Sequence, residues 1–459
     1  MELSENTFNR LSIALIEKNE CGPGEALDQL ATYQLVLNCG EKIRTSLPLQ
    51  AALLTAINSA GRAFLGGVYL IIPDQVECLL PWAEKKTLNA IAIELGVKAT
   101  DRPLDYLFTL NFGLPGNIDQ NIIEVVASDW QGGVLVDGEN TDILNEGKLP
   151  LGGIYAGGLA VGLAFMKVSK IHVQGLDHST GLSLWRPDLN WLAEDAAGPD
   201  SVTIPSNIWI LGLGHLGQAY LWALGLLPYN DSKLVDIYLQ DFDKVVAANM
   251  SAGLLCVIRD VGRYKTRVCS DWLEARKIQT HIVERKFNKN TMREEEEPYV
   301  ALCGFDNAYS RTLLEKAGFD FVVEAALGDD VNNFDKIMLH TFPSAIHSAE
   351  KIWDGLPSNF LPKEKVLKAL TTDNEKECGI LELTIAGKAV SGSFVGACAG
   401  ALVIAELIKA RNQGIKTDKI VSQLRFTKHT QTVGDGSIYL TELGRSRSQN
   451  IQPVTLQNE

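Results

Sequence analysis

The sequence predicts an α/β fold: two wound, mostly parallel sheets in one chain, each with helices on both faces. Three observations predict it. Short apolar, β-rich runs alternate with helix-periodic segments along most of the 459 residues. Several of the runs end at a glycine or an acid. The order of elements in the first half recurs in the second.

The elements read as follows. A helix is expected at 5–18 and a strand at 33–40 (YQLVLNCG). Helical periodicity covers 47–66 and stops at a glycine. A strand at 68–74 ends at Asp74, and a helix follows at 87–97. Strands at 106–110 and 132–138 precede a Gly-rich apolar helix at 151–166. In the second half a strand at 208–214 (IWILGLG) enters a glycine turn and a helix at 215–228. Strands follow at 235–243, 299–306 and 321–329, and the Gly-rich helix returns at 391–408. Leu35 thus matches Ile208, Val68 matches Val235, Tyr106 matches Tyr299 and Gly152 matches Gly392. The spacing of these pairs widens twice, so the second half carries two insertions. Two related units forming an internal pseudo-dimer explain the pattern. The first unit is expected at 1–176 and the second at 207–443, with a polar linker at 177–206. The tail 444–459 has a disorder-prone composition.

Composition narrows the function. The formal net charge of -14 argues against nucleic acid as the main partner. Eight cysteines form no CxxC, and no histidine pairs with one at ligand spacing. Reduced thiols, a cytoplasmic setting and no zinc are the expectation. The N-terminus lacks the features of a signal peptide. The apolar runs 151–166 and 391–408 fall short of the ~20 residues of a membrane span, so buried helices and no membrane partner are expected.

The strongest motif is 212–217, GLGHLG, a G-x-G-x-x-G between a strand and a helix. Glycines there permit a tight turn and close approach of backbone N–H groups to phosphate. The next strand ends in Asp241 and Asp243, where an acid can bind a ribose hydroxyl. The surrounding text adds detail: D-x-D-x-V…N…D-V-G-x-x-K over 241–268, then D-N…R…V-E-A over 303–329. This resembles the ThiF/MoeB/ubiquitin-activating enzyme family, clearly over 208–410 and as a degenerate, inactive copy over 1–176.

The resemblance implies two Rossmann-like units and ATP-dependent adenylation of the C-terminal carboxylate of a ubiquitin-like or peptide carrier. It places Gly212, Gly214 and Gly217 under the ATP phosphates, Asp241 on the ribose with Asp243 beside it, and Asn249 at the phosphates. It makes Lys265 the phosphate-neutralising lysine and Asp306 the ligand of Mg²⁺. Attack of a carboxylate on phosphorus brings two anions together, so such cations are needed. The competing readings are a surface lysine and a loop cap. The family's cysteine falls on Cys378, in a crossover loop at 330–390, where a thiolate would accept the acyl group. A structural thiol is the alternative. Cys303 and Cys398 read as core.

One departure stands out. The family's N-x-x-R-Q becomes Asn249, Met250, Ser251, Ala252, Gly253. Arg259 and Arg263 are nearby substitutes for the missing arginine. A second family arginine, contributed by the other unit, matches Arg10. The departure keeps a second function open: a pseudoenzyme acting as a nucleotide- or ubiquitin-like-protein-binding scaffold. An NAD-dependent oxidoreductase is a third reading of the glycine motif, without a catalytic histidine or lysine to support it.

Overall fold

The computed structural model describes residues 9–100, 107–136, 145–328, 330–356, 390, 392–439, 443 and 446–451. The first sheet contains β1 (Gln34–Cys39), β2 (Gly67–Ile71), β3 (Lys98–Ala99), β4 (Thr109–Phe112), β5 (Ile122–Ala127), β6 (Gln131–Leu135) and β7 (Thr180–Ser183). Its order is β3-β2-β1-β4-β5-β6-β7. The first five strands are parallel, and β6 and β7 are added antiparallel.

After β8 (Val202–Pro205), the second sheet takes β9 (Asn207–Leu211), β10 (Asp236–Gln240), β11 (Gln279–Val283), β12 (Val300–Cys303), β13 (Phe321–Leu327), β14 (Lys336–Phe342), β15 (Lys419–Gln423) and β16 (Gln431–Val433). Its order, β11-β10-β9-β12-β13-β14-β15-β16, repeats that of the first sheet and adds one strand. Again the first five strands are parallel and the later ones antiparallel. The duplication expected from sequence is therefore present in the topology. Strands buried on both faces need apolar side chains throughout, and VALC of β12 is buried at all four positions.

The helices are α1 (Ser12–Asn19), α2 (Pro23–Thr32), α3 (Leu47–Ala60), α4 (Leu88–Glu94), α5 (Leu151–Val168), α6 (His215–Gly225), α7 (Lys265–Glu274), α8 (Ala308–Arg311), α9 (Ala349–Trp353) and α10 (Ser393–Arg411). Ser46 caps α3 by accepting from Leu49 N at 3.2 Å. Four of the helices join the two units, with α5 and α10 packed on each other and flanked by α3 and α6.

Small residues permit this closeness. A Cβ on Gly153 or Gly157 would collide with the carbonyl oxygens of Pro48 and Ala52 on α3. A Cβ on Gly396 would collide with the ring of His215 on α6, and one on Gly400 would lie 2.6 Å from the oxygen of Ala219. The same four-residue spacing thus serves both units. Across the seam, a Cβ on Gly158 would meet Cys398 Sγ at 2.8 Å, and Cys398 Sγ donates to Tyr155 O at 3.4 Å. By length and composition α5 and α10 could cross a membrane, but their apolar windows are 89% and 100% buried in the fold.

Some expectations are corrected. The expected helix at 5–18 is described from Asn9 on: α1 runs Ser12–Asn19, residues 9–11 before it are not helical, and residues 5–8 lie outside the described residues. Strand β5 was not expected. The stretch 177–206 is not a simple linker: β7 belongs to the first sheet and β8 pairs with the tail. Gly181 in β7 gives weak strand signal, and it is there because Trp191 packs on it, 2.5 Å from where a Cβ would be. The tail 444–459 is not wholly disordered. β17 (Ser448–Ile451) pairs antiparallel with β8, and Arg447 binds Asp236 at 2.9 Å. These residues are held by main-chain hydrogen bonds, which polar sequence does not advertise. Cys378 lies outside the described residues.

Gly157→Ala should cost about 1–3 kcal/mol, because α3 and α5 must separate. Gly24→Ala, with nothing within 4 Å of its Cβ, should be neutral or slightly stabilising. Denaturant midpoints of the two variants check this.

Candidate nucleotide site

The site lies at the carboxyl ends of β10, β9 and β12, which register together: Gln240 and Cys303 both sit opposite Leu211. In this strand order the crevice opens where the winding reverses, between β9 and β12. The chain leaves β9 through Gly212, whose φ of +84° suits glycine. Gly212 N donates to Gln240 O at 2.9 Å, and Gly304 N donates to Leu211 O at 2.8 Å. The glycine turn and the turn after β12 are thereby tied together. A Cβ on Gly212 would meet Phe305 at 2.9 Å.

The three glycines have different work. Gly217 lets α6 close on the turn, because a Cβ there would strike Gly212 O. Gly214, at the start of α6, faces open space, with nothing within 4 Å of its Cβ position. It therefore leaves a cradle at a helix N-terminus that a side chain would fill. Unpaired N–H groups and the positive dipole end favour an anion there.

Acids and one lysine converge on this turn. Asp241 Oδ2 accepts from Leu213 N at 2.7 Å, and its Oδ1 accepts from Asp243 N at 2.8 Å. Lys265, at the start of α7, is 9% exposed and donates to Asp243 Oδ2 at 3.0 Å. Burial pulls its pKa down, but the carboxylates of Asp241, Asp243 and Asp306 outweigh burial and raise it overall. Lys265 is therefore a charged, positioned cation and not a surface lysine. Asp306 is exposed, within electrostatic reach of that lysine. Asn249 Oδ1 accepts from Val246 N at 2.9 Å and shapes the loop leading to Ala252.

The first unit reaches this loop. Arg10 N donates to Ser251 Oγ at 3.2 Å, so the N-terminal segment does arrive at 249–253. Arg62 was not foreseen from sequence. Its guanidinium donates to Met250 O at 3.0 Å, Leu254 O at 3.1 Å and Asn58 Oδ1 at 3.0 Å. It fastens the loop to the first unit. Gln218 of α6 fastens it to the second, accepting from Leu255 N at 2.9 Å while its Nε2 donates to Leu213 O at 3.1 Å. A Cβ on Gly253 would lie 2.6 Å from Gln218 Oε1, so a side chain there would displace the amide that holds Leu255 N. Arg263, near the missing arginine in sequence, is paired with Asp260 at 2.9 Å and Asp271 at 2.5 Å.

A second layer holds the Asp306 turn. Buried Arg311 donates through Nε to Phe305 O at 3.0 Å and pairs with Glu324 at 3.3 Å. Glu324, fully buried, also binds His340 Nδ1 at 3.1 Å and accepts from Trp353 Nε1 at 2.6 Å. Arg311 and Glu324 are the R and E of D-N…R…V-E-A, but their pairing was not legible without the fold.

His215 adds no charge to the cradle. Its ring lies under Gly396, and burial pushes its pKa down to about 4, with Arg62 nearby adding to the shift. Cys303 and Cys398 are buried core thiols, and burial pushes Cys303 up to about 12. Among the described residues no group of three or more His, Cys, Asp or Glu side chains stands together. A Mg²⁺ bound by one or two carboxylates and by phosphates requires none.

In the first unit the turn after β1 reads Gly40-Glu41-Lys42, so a lysine stands at the position of Gly214. After β1 comes Gly40, where a Cβ would lie 2.6 Å from Gly113 O and 2.9 Å from the Leu114 side chain. The turn after β4 packs on Gly40 much as the turn after β12 packs on Gly212.

Two predictions follow from these contacts. Glu324→Ala strands the buried Arg311 cation and should cost about 3–5 kcal/mol by chemical denaturation. For His215 the native state stays neutral while the unfolded chain takes up a proton below about pH 6.5. Stability should therefore fall by about 2 kcal/mol from pH 7 to pH 5 on this account. His215→Asn should shrink that pH dependence in paired melts.

Comparison with known proteins gives the following. A family model described as the BilD N-terminal domain matches residues 34–184, and one described as the BilD C-terminal domain matches 204–414. The bacterial E1-like protein BilD of Collimonas sp. (strain OK412) is 33% identical over 427 residues, 90% of each chain. Among solved structures, E. coli MccB overlaps with a TM-score of 0.32 at 16% identity, over 50% of this chain and 62% of that one. The chain thus spans under two thirds of MccB's length. E. coli tRNA N6-threonylcarbamoyladenosine dehydratase, TcdA, overlaps at 0.31 and 15% identity, over 45% and 86%.

Proposed function

The chain belongs to the BilD family of bacterial E1-like proteins, of the ThiF/MoeB/ubiquitin-activating type, and from that premise we propose that it uses ATP to adenylate the C-terminal carboxylate of a ubiquitin-like or peptide carrier. The observation that carries this reading is the convergence of an open glycine cradle at Gly214 with Lys265, Asp241, Asp243 and Asp306. ATP phosphates would lie on the N-terminus of α6. Asp241 would take the ribose through lone pairs left over from its two backbone contacts, with Asp243 and Asn249 alongside. Lys265 would offset phosphate charge, and Arg10 would bring a second cation from the first unit. Mg²⁺ at Asp306 would supply further neutralisation. A carrier carboxylate oxygen would bond to the α-phosphorus, the bond to the pyrophosphate oxygen would break, and pyrophosphate would leave, with the acyl-adenylate held in the site. Cys378 would then take the acyl group as a thioester, releasing AMP.

A specific observation favours the second reading, a catalytically weakened scaffold. Ala252 and Gly253 remove the family's arginine and glutamine, and Arg62 is committed to backbone carbonyls. Loss of one phosphate-stabilising donor costs a few kcal/mol in the transition state. Pyrophosphate release with the cognate carrier separates the two readings.

The test of the site is a thermal melt with Mg-ATP. Ligand at a hundred times its dissociation constant should stabilise the chain by ~2.7 kcal/mol. Asp306→Ala should lose this shift while melting normally alone. No response to ATP, or a response to NAD only, would sink the adenylation reading.

A further inference from the structure

A second cavity lies at the other end of α6, whose 11 residues place it about 16 Å from the glycine cradle. Its volume is about 330 Å³, and it is shared by the two units. Leu79, Leu80 and Pro81 come from the first, and Leu227 and Ile278 from the second. Apolar side chains from both units share the lining with Tyr229, Asn230, Ser232 and Arg276.

One cation faces it. Arg276 is 7% exposed, and among the described residues no carboxylate pairs with it. Its guanidinium carbon lies over the ring of Trp82 of the first unit at 4.5 Å and over that of Trp272 of the second at 3.6 Å. Nη1 donates to Trp272 O at 2.9 Å, while the Nε N–H is buried without a partner. The hydroxyl of Tyr229, another lining residue, is also buried without a partner. Burial pulls the guanidinium down to about 9, opposed only by the Cys78 thiol, so it is charged at neutral pH. A buried, stacked guanidinium with spare edge donors is a structural anomaly unless something accepts from it. A carboxylate meets the N–H edge of a guanidinium with two oxygens side by side, the geometry of an arginine fork. A dianion such as phosphate leaves one charge uncompensated on a single buried cation.

We propose that this cavity binds an organic monocarboxylate with an apolar body, its carboxylate on Arg276 and Tyr229. The ligand is either a free acid or the terminal carboxylate of a polypeptide. Binding here would clamp the two units together, because both contribute walls and both contribute a tryptophan. The proposal is independent of the nucleotide reading.

Trp82 and Trp272 report on it directly. The full chain would be titrated by tryptophan fluorescence with hexanoate, hexanol, N-acetylleucine, N-acetylleucine amide and inorganic phosphate. Saturable binding of a carboxylate, at least tenfold tighter than its neutral counterpart, is expected. Tighter hexanoate identifies a free acid as the source, and tighter N-acetylleucine identifies a chain terminus. Tyr229→Phe should weaken the carboxylate several-fold with unchanged circular dichroism, and Arg276→Gln should abolish the preference over the neutral compound. No saturable response to either carboxylate, phosphate binding as tightly, or an unaltered preference in both variants would overturn the proposal.

Discussion

Two glycine-bearing helices, α5 and α10, meet back to back, and the rest of the molecule depends on that contact. Each also lies against the first helix of its own sheet, α3 or α6, with backbone touching side chain or carbonyl where a methyl group would not fit. Close backbone approach maximises dispersion contacts and excludes water from the seam. It also fixes the units relative to each other. The end of α3 and the start of α1 can then reach the loop that borders the second unit's crevice. Asn58 Nδ2 donates to Leu254 O at 2.9 Å and Trp222 Nε1 donates to Thr55 Oγ1 at 3.0 Å, both across the seam. The first unit thus borders the second unit's crevice.

Within the site, charge placement follows from strand register. Three parallel strands end at one level, so Gly212, Asp241 and Asp306 emerge side by side. Three carboxylates around one cradle would repel an anionic ligand on their own. Buried Lys265, held charged by those carboxylates, and the N-terminal dipole of α6 reverse part of that field. The Arg311–Glu324 pair stiffens the turn from behind, where its net stability is modest but the cost of breaking it is large.

The sequence reading captured what local pattern encodes. Alternating apolar runs, the glycine turn and the acids at strand ends are short-range features, and the duplicated sheets and the nearness of the glycine turn to Asp241 follow from them, whereas Lys265 and Asp306 were reached through the family resemblance. It missed what depends on distant partners. Arg62 acts on residues 250–256, and Glu324 gathers Arg311, His340 and Trp353 from separate elements. No spacing rule joins such positions. Strands β7 and β17 escaped for another reason: TGLS and SQNI have little apolar pattern, and their neighbours' main chains hold them in place. The Arg276 cavity was invisible because its walls come from both halves of the chain.

The central claim is that the two units build one nucleotide site, with the first unit supplying Arg10. Calorimetric titration of Mg-ATP into the wild type and Arg10→Ala tests it most directly. The account predicts that the variant melts like the wild type yet binds Mg-ATP at least tenfold more weakly. Equal affinity in the two proteins would contradict it and confine the site to the second unit.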